Sequence, residues 1–356
     1  MRVTQTMIAN QTLRHIQSNY SQISKYQDQL ATGKKISRAS QDPVAATSGM
    51  FYRTQVREIE QFQRNISSAQ TWVETSDQAV YDVNLAMQRV RELTVQASND
   101  TYDETQRAAV AEEIAQIIDH IADVGNTQVN KKYIFNGTDA GEKPIAQAEF
   151  DISIEQLTEM EGQEEGSIDG AVLYYEGNVY VWSDGAFSSD NEDLPDISIE
   201  DFGESVDPDK AVLFGPNAIQ MNGENVNLEL MKDVEIPVNV NGNDVFSHQM
   251  FGDLILLQRA MTDEEADIGH HLQTVDEHMD DILTVEAQIG AKQNRIDLTE
   301  ARMDQQFVTA TRIMSDNEDA DISAAIINLV IHESVLNASL GAGARIMQPS
   351  LMDFLR

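Results

Sequence analysis

The stretch DPVAATSGMFYRTQVREIEQFQRNISSAQTWVETSDQAVYDVNLAMQRVRELTVQA, Asp42–Ala97, decides the fold. Asp42 is a residue type that accepts hydrogen bonds from the free amides of a first helical turn. Pro43 follows where a missing N–H costs nothing and a fixed φ already suits a helix. Beyond this start, Ile59, Phe62, Ile66, Ala69, Val73, Ser76, Val80, Val83, Met87, Val90, Thr94 and Ala97 recur at spacings of three and four, with only Ser76 and Thr94 polar. That is an unbroken seven-residue repeat, the period of a helix that packs along a seam. Asn99-Asp100 supplies turn residues that end it. A helix of this length reaches roughly 80 Å and cannot bury its seam in one compact core, so partner helices are required.

The partners are legible on both sides. Ahead of Asp42, Ala9, Leu13, Ile16, Tyr20, Ile23, Gln27 and Leu30 form a narrow apolar seam that ends at Gly33, a helix C-cap type; a basic linker leads on to Asp42. After the turn, Thr101 and Glu104 read as a capping box, and Val110, Ile114, Ile117, Ile121 and Val124 continue the heptad. It returns from Ile268 through Leu272, Val275, Met279, Ile282, Ile289, Ile296, Met303, Phe307, Ala310 and Met314, with Glu286, Gln293 and Glu300 at seam positions. Those three set the register or face a neighbouring subunit. Ser315–Asp321 interrupts, its acids reading as helix caps. The last helix carries Ile322, Ile326, Ile327, Leu329, Val330, Ile331, Val335, Leu336, Leu340, Ile346 and Met347 around more than one face. One partner helix cannot cover that much apolar surface, which implies contact with other chains.

Between the helical halves, from about 141 to 247, helical periodicity fades. Val172–Tyr175, Val179–Trp182, Val212–Phe214 and Val234–Val240 read as strands, as does the Tyr133-Ile134-Phe135 run before them. Gly177-Asn178, Asp184-Gly185, Asn222-Gly223 and Asn241-Gly242 read as turns. The fold class is therefore mainly α with a small inserted antiparallel β domain. Residues 1–41 and 315–356 are terminal coiled-coil segments, 42–140 and 248–314 an antiparallel helical rod, and 141–247 the outer β domain.

The net charge of −36 is uneven: no Lys or Arg occurs from Ile145 to Asp209. Such a surface repels nucleic acid and anionic lipid, so neither partner is expected. No cysteine is present, no unbroken apolar run approaches a membrane span, and the N-terminus lacks the apolar core of a cleaved secretory signal. His270, His271 and His278 lack the His-Glu-x-x-His spacing of a zinc site and read as exposed structural histidines; no phosphate loop or nucleophile elbow occurs, and no cofactor or metal is expected.

Several of these runs resemble a known family. Leu30-Ala31-Thr32-Gly33-Lys34, a short linker, Asp42-Pro43 and a long heptad helix together resemble the N-terminal signature of bacterial flagellins and their hook-associated relatives. Asn65 in Gln63-Arg64-Asn65-Ile66, and the run Arg89–Ala97, are similar to the family pattern in the same order. Tyr133-Ile134-Phe135-Asn136-Gly137-Thr138, Ser315–Asp321 and the ending Ser350-Leu351-Met352-Asp353-Phe354-Leu355 resemble the hook-associated branch. The resemblance implies a non-enzymatic structural adaptor at the junction between flagellar hook and filament, with the filament subunit itself as the alternative. It implies unfolded export through the flagellar apparatus to the extracellular flagellum. The partners it implies are hook-associated protein 1, flagellin, copies of itself in a junction ring, and an export chaperone on the C-terminal helix. The expected assembly residues are Leu13, Ile16, Tyr20, Ile23 and Leu30 near one end, and Ile326, Leu329, Val330, Leu336, Leu340, Ile346 and Leu351 near the other.

Overall fold

A computed structural model describes residues 5–98, 103–161, 168–183, 185–189, 191, 194–202, 206–263 and 268–347. Its long helices are α1 (Gln5–Thr32), α2 (Pro43–Ala97), α3 (Glu104–Gly125), α6 (Ile268–Glu318) and α7 (Ile322–Met347), with the short α4 (Ile154–Glu161) and α5 (His248–Ala260) between them. The chain divides into two compact units, Met1–Gln61 with Arg302–Arg356, and Phe62–Ala301.

The start of α2 follows its sequence: the Asp42 carboxylate accepts from the Val44 and Ala45 amides at 3.1 and 3.0 Å. In the 62–301 unit the seam from Ile66 to Ala97 is buried throughout. Ser76 and Thr94 are tolerated there because each hydroxyl donates to its own helix, to the carbonyls of Trp72 and Val90. In α3 the buried position is Ile118, not the expected Ile117. The cap of α3 differs as well. Asp103 is the N-cap, with Gln106 closing the box; Thr101 lies outside the described residues.

Around the Arg89-Val90-Arg91 run each side chain takes a separate neighbour. Val90 is buried, Arg89 reaches Glu113 of α3 at 2.7 Å, and Arg91 reaches Asp276 of α6 at 2.6 Å. Glu286 and Glu300, seam acids of α6, also have partners on α2: Asn84 and Gln70 donate to them at 3.3 and 2.7 Å.

The inserted segment folds around a four-stranded antiparallel sheet, β3 (Val172–Tyr175), β4 (Asn178–Ser183), β5 (Ala186–Ser189) and β6 (Ala211–Phe214), in the order β5-β4-β3-β6. Two hairpins flank it in sequence, β1 (Gln128–Val129) with β2 (Lys132–Tyr133), and β7 (Asn227–Met231) with β8 (Val234–Pro237). Leu173, Tyr180, Trp182 and Phe187 join Leu157, Ile197 and Val206 in one apolar cluster. The neighbouring residues of β3 and β6 meet α5, where Phe150 packs on Phe214 and Phe251.

Several expected elements differ. Ile134 and Phe135 are buried but not in a strand, and the Val234–Val240 strand stops at Pro237, which cannot donate to a ladder. Asn241-Gly242 begins a short 3-10 helix instead of a hairpin turn. His278 is not exposed. It is buried with its Nε2 2.7 Å from Asp253 Oδ2, and the Tyr174 hydroxyl donates to Asp253 Oδ1 at 2.5 Å. Burial and that bond both push the Tyr174 phenol well above its ordinary range, so it remains a donor.

Candidate assembly interface

Two sequence signatures 285 positions apart meet where the chain passes between its terminal and long helices. α1 ends at Gly33, whose φ of +67° turns the chain out of the helix after its N–H donates to Gln29 O. Gly33 O then accepts from the Ala320 amide at 2.9 Å, and the Lys35 amide donates to Glu318 O at 2.6 Å, a two-bond bridge between the crossings. Side chains reinforce it. The Lys34 ammonium lies 2.8 Å from Asp319 and 3.4 Å from Glu318, and Arg53 grips Glu318 with two parallel bonds of 2.6 and 2.7 Å. Ser315 donates to Asp319 at 2.6 Å, and Asp321 caps α7 by accepting from the Ala324 amide. Of the acids read as caps, therefore, Asp321 serves as one, whereas Glu318 and Asp319 are ion-pair partners. The signal was present as opposite charge in two separate runs, but nothing local joins them.

The electrostatics have a defined sign. The Arg53 hydrogen bonds hold Glu318 below the usual carboxylate range, and the Lys34 hydrogen bond does the same to Asp319. Carboxyls depressed in the folded state stabilise it above their unfolded pKa of about 4, and that stability is lost as pH falls through the folded values. Glu318→Gln is expected to cost the terminal unit about 1–2 kcal/mol at neutral pH, discounted because Arg53 is half exposed. The cost should shrink below pH ~4, where the native acids protonate as well. Thermal melts of both proteins across that range check it: a constant difference down to strongly acidic pH would show that the pair contributes nothing through its charge.

Beyond the bridge, α1 and α7 pack against each other in opposite directions. Tyr26 stacks on His332 with ring centres 5.6 Å apart, and Asn19 Oδ1 lies 3.3 Å from His332 Nδ1. The pairing covers little of the apolar surface. Of the expected interface residues Ile23 is buried; Ile16, Leu30, Leu329 and Leu336 are partly covered; Leu13, Tyr20, Ile326, Val330 and Leu340 remain exposed. The side chain of Ile346 and the whole of Leu351 lie outside the described residues. Ile322, Ile327, Ile331 and Val335 are exposed too. Ile322–Ala344 is long and apolar enough to cross a membrane by length and composition, although polar residues such as His332 and Glu333 interrupt its apolar run.

The profile of the bacterial flagellin N-terminal helical region matches residues 3–140. The flagellin match therefore takes in α1, α2, α3 and the turn after them. Flagellin from Clostridium tyrobutyricum is 30% identical over 142 residues, covering 40% of this chain and 38% of that protein. The chain thus aligns with well under half the length of that flagellin. Flagellar hook-associated protein 3 from Escherichia coli (strain K12) is 22% identical over 351 residues, 96% of each chain. In three dimensions a flagellar hook-associated protein from Vibrio parahaemolyticus covers 78% of this chain and all of its own, at TM-score 0.55 and 13% identity, which shows a shared fold. Long helices from both chain halves with a small antiparallel β domain between them are thus an architecture that a flagellar protein shares.

Proposed function

We propose that this chain is a structural adaptor of the extracellular bacterial flagellum, placed between the hook and the flagellin filament. One observation carries the reading: the likeness to hook-associated protein 3 runs through 96% of both chains, inserted domain included, whereas the flagellin match covers 40% of this one. The relatives are structural proteins, which supports a role without catalysis. Residues 1–41 and 315–356 act as terminal assembly segments, 42–140 and 248–314 as the rod, and 141–247 as an outer domain. The partners are hook-associated protein 1, flagellin, further copies of this chain in a ring, and, before export, a chaperone on the C-terminal helix.

The exposed apolar surface of α7 belongs against protein in this reading, not lipid. Glu333 stands exposed midway along Ile322–Ala344, where a bilayer would force a carboxylate into its centre at a cost of several kcal/mol. A protein neighbour can meet the same position with a polar group.

Electron microscopy of cells lacking the protein tests the assignment. Hooks without filaments, with flagellin released to the medium, are the expected result, and normal filaments would overturn it. The higher identity to flagellin supports a second reading, the filament subunit itself. Copy number in isolated appendages separates the two: an adaptor forms a thin layer, whereas a filament subunit makes up most of the mass.

A further inference from the structure

Asparagine followed by glycine occurs three times, at 136–137, 222–223 and 241–242. The fold gathers all three into one knot. The Asn136 side chain is buried; it donates to the carbonyls of Asp139 and Glu142 at 2.9 and 3.1 Å, and accepts from the Asn222 amide at 2.9 Å. Asn222 donates in turn to Thr138 and Asp139 at 2.8 and 2.9 Å, and accepts from the Glu224 amide at 2.8 Å. Asn241 accepts from the Asn243 amide and donates to Asp244. Glycine is needed because the segments of the knot touch. A Cβ on Gly137 would meet Asn222 O and stand 2.6 Å from Glu224 O, and one on Gly242 would stand 2.6 Å from Phe135 O.

The same dipeptide carries a reaction. The nitrogen of a following glycine, unshielded by a side chain, attacks the asparagine Cγ. A C–N bond forms, the Cγ–Nδ2 bond breaks, and ammonia leaves with the proton from the glycine nitrogen. Water then opens the cyclic imide at either carbonyl to give aspartate or isoaspartate. Attack requires the side chain and the following peptide to swing together, which the knot prevents by holding both amide functions of Asn136.

We propose that the three Asn-Gly pairs form a spontaneous modification site that the folded knot suppresses, and that conversion of Asn136 in an unfolded chain prevents the knot from being rebuilt. A carboxylate there has no hydrogens for the carbonyls of Asp139 and Glu142, and it places a charge among acceptors in a buried position. Isoaspartate in addition lengthens the backbone just where Gly137 passes its neighbours. The chemistry limits how long this chain stays unfolded and still able to fold.

Full-length protein is incubated at mildly alkaline pH in native buffer and in guanidinium, and peptides are mapped by mass spectrometry. All three sites should gain about one dalton in guanidinium. In the native protein Asn136 should react about a hundredfold more slowly or less, because it must first open locally. The partly converted chains are then diluted into native buffer, and the folded fraction is isolated by gel filtration. That fraction should be depleted at least tenfold in chains converted at Asn136. Asn222→Ser serves as a control, since it should abolish conversion at 222 and leave the rates at 136 and 241 in guanidinium unchanged. Equal rates at Asn136 in both buffers would overturn the proposal, as would a folded fraction carrying as much conversion there as the unfolded one.

Discussion

Asp253→Ala is expected to destabilise the 62–301 unit by about 3–5 kcal/mol and to lower its melting temperature by about 10 °C. Asp253 is a buried carboxylate on α5 that accepts from Tyr174 of β3 and lies 2.7 Å from His278 of α6. Side chains of β3 and α6 thus meet α5 at its two oxygens. Removing it leaves a phenol and an imidazole, both nearly sealed from solvent, with no partner for the facing hydrogen, and each orphaned group costs about 1–3 kcal/mol. The remainder is the cavity left by the side chain. Asp253→Asn keeps the shape and one acceptor, so it should cost about half as much. Near-ultraviolet circular dichroism during melting reads both variants; equal, sub-degree shifts would show that the network is dispensable.

That network was also the least legible part of the sequence, and for a physical reason. Heptad seams announce themselves because one face of a helix is buried for many turns, so Ile66, Val73, Val80, Met87 and Val90 could be placed from spacing alone. Strands β3, β4 and β6 are dense in Val, Leu, Tyr and Phe and were equally visible. β5, Ala-Phe-Ser-Ser, and β7, Asn-Leu-Glu-Leu-Met, are not: their strand character comes from the neighbours they pair with, Tyr180–Ser183 and Val234–Pro237. His278 illustrates the limit more sharply. Its spacing from His271 invites a reading along one helix, whereas its environment is made by Asp253 and Tyr174, 25 and 104 positions away. The same holds for the crossing: the Gly33-Lys34-Lys35 and Glu318-Asp319 runs were both recognisable, but their joining depends on where four helices end.

The largest effect on assembly is expected from Ile326→Asp together with Val330→Asp. The two side chains stand one turn apart on α7, 48% and 54% exposed in the isolated chain, so they contribute little to its folding. Neither substitution breaks the helix, because aspartate, isoleucine and valine differ by only a few tenths of a kcal/mol in helix propensity. The melting temperature of the monomer should therefore stay within about 2 °C of the parent. In the proposed assembly the same positions are covered by a neighbouring chain. Burying an unpaired carboxylate costs several kcal/mol, and two of them should weaken association by a factor of about 1,000 or more. Sedimentation of the purified protein under assembling conditions, with motility of cells carrying the variant, reads the result. Unchanged melting with lost assembly, and flagellin shed to the medium, is the expected pair. Retained assembly would move the interface to another face of α7, and a collapsed melting transition would place Ile326 and Val330 in the fold of the monomer itself.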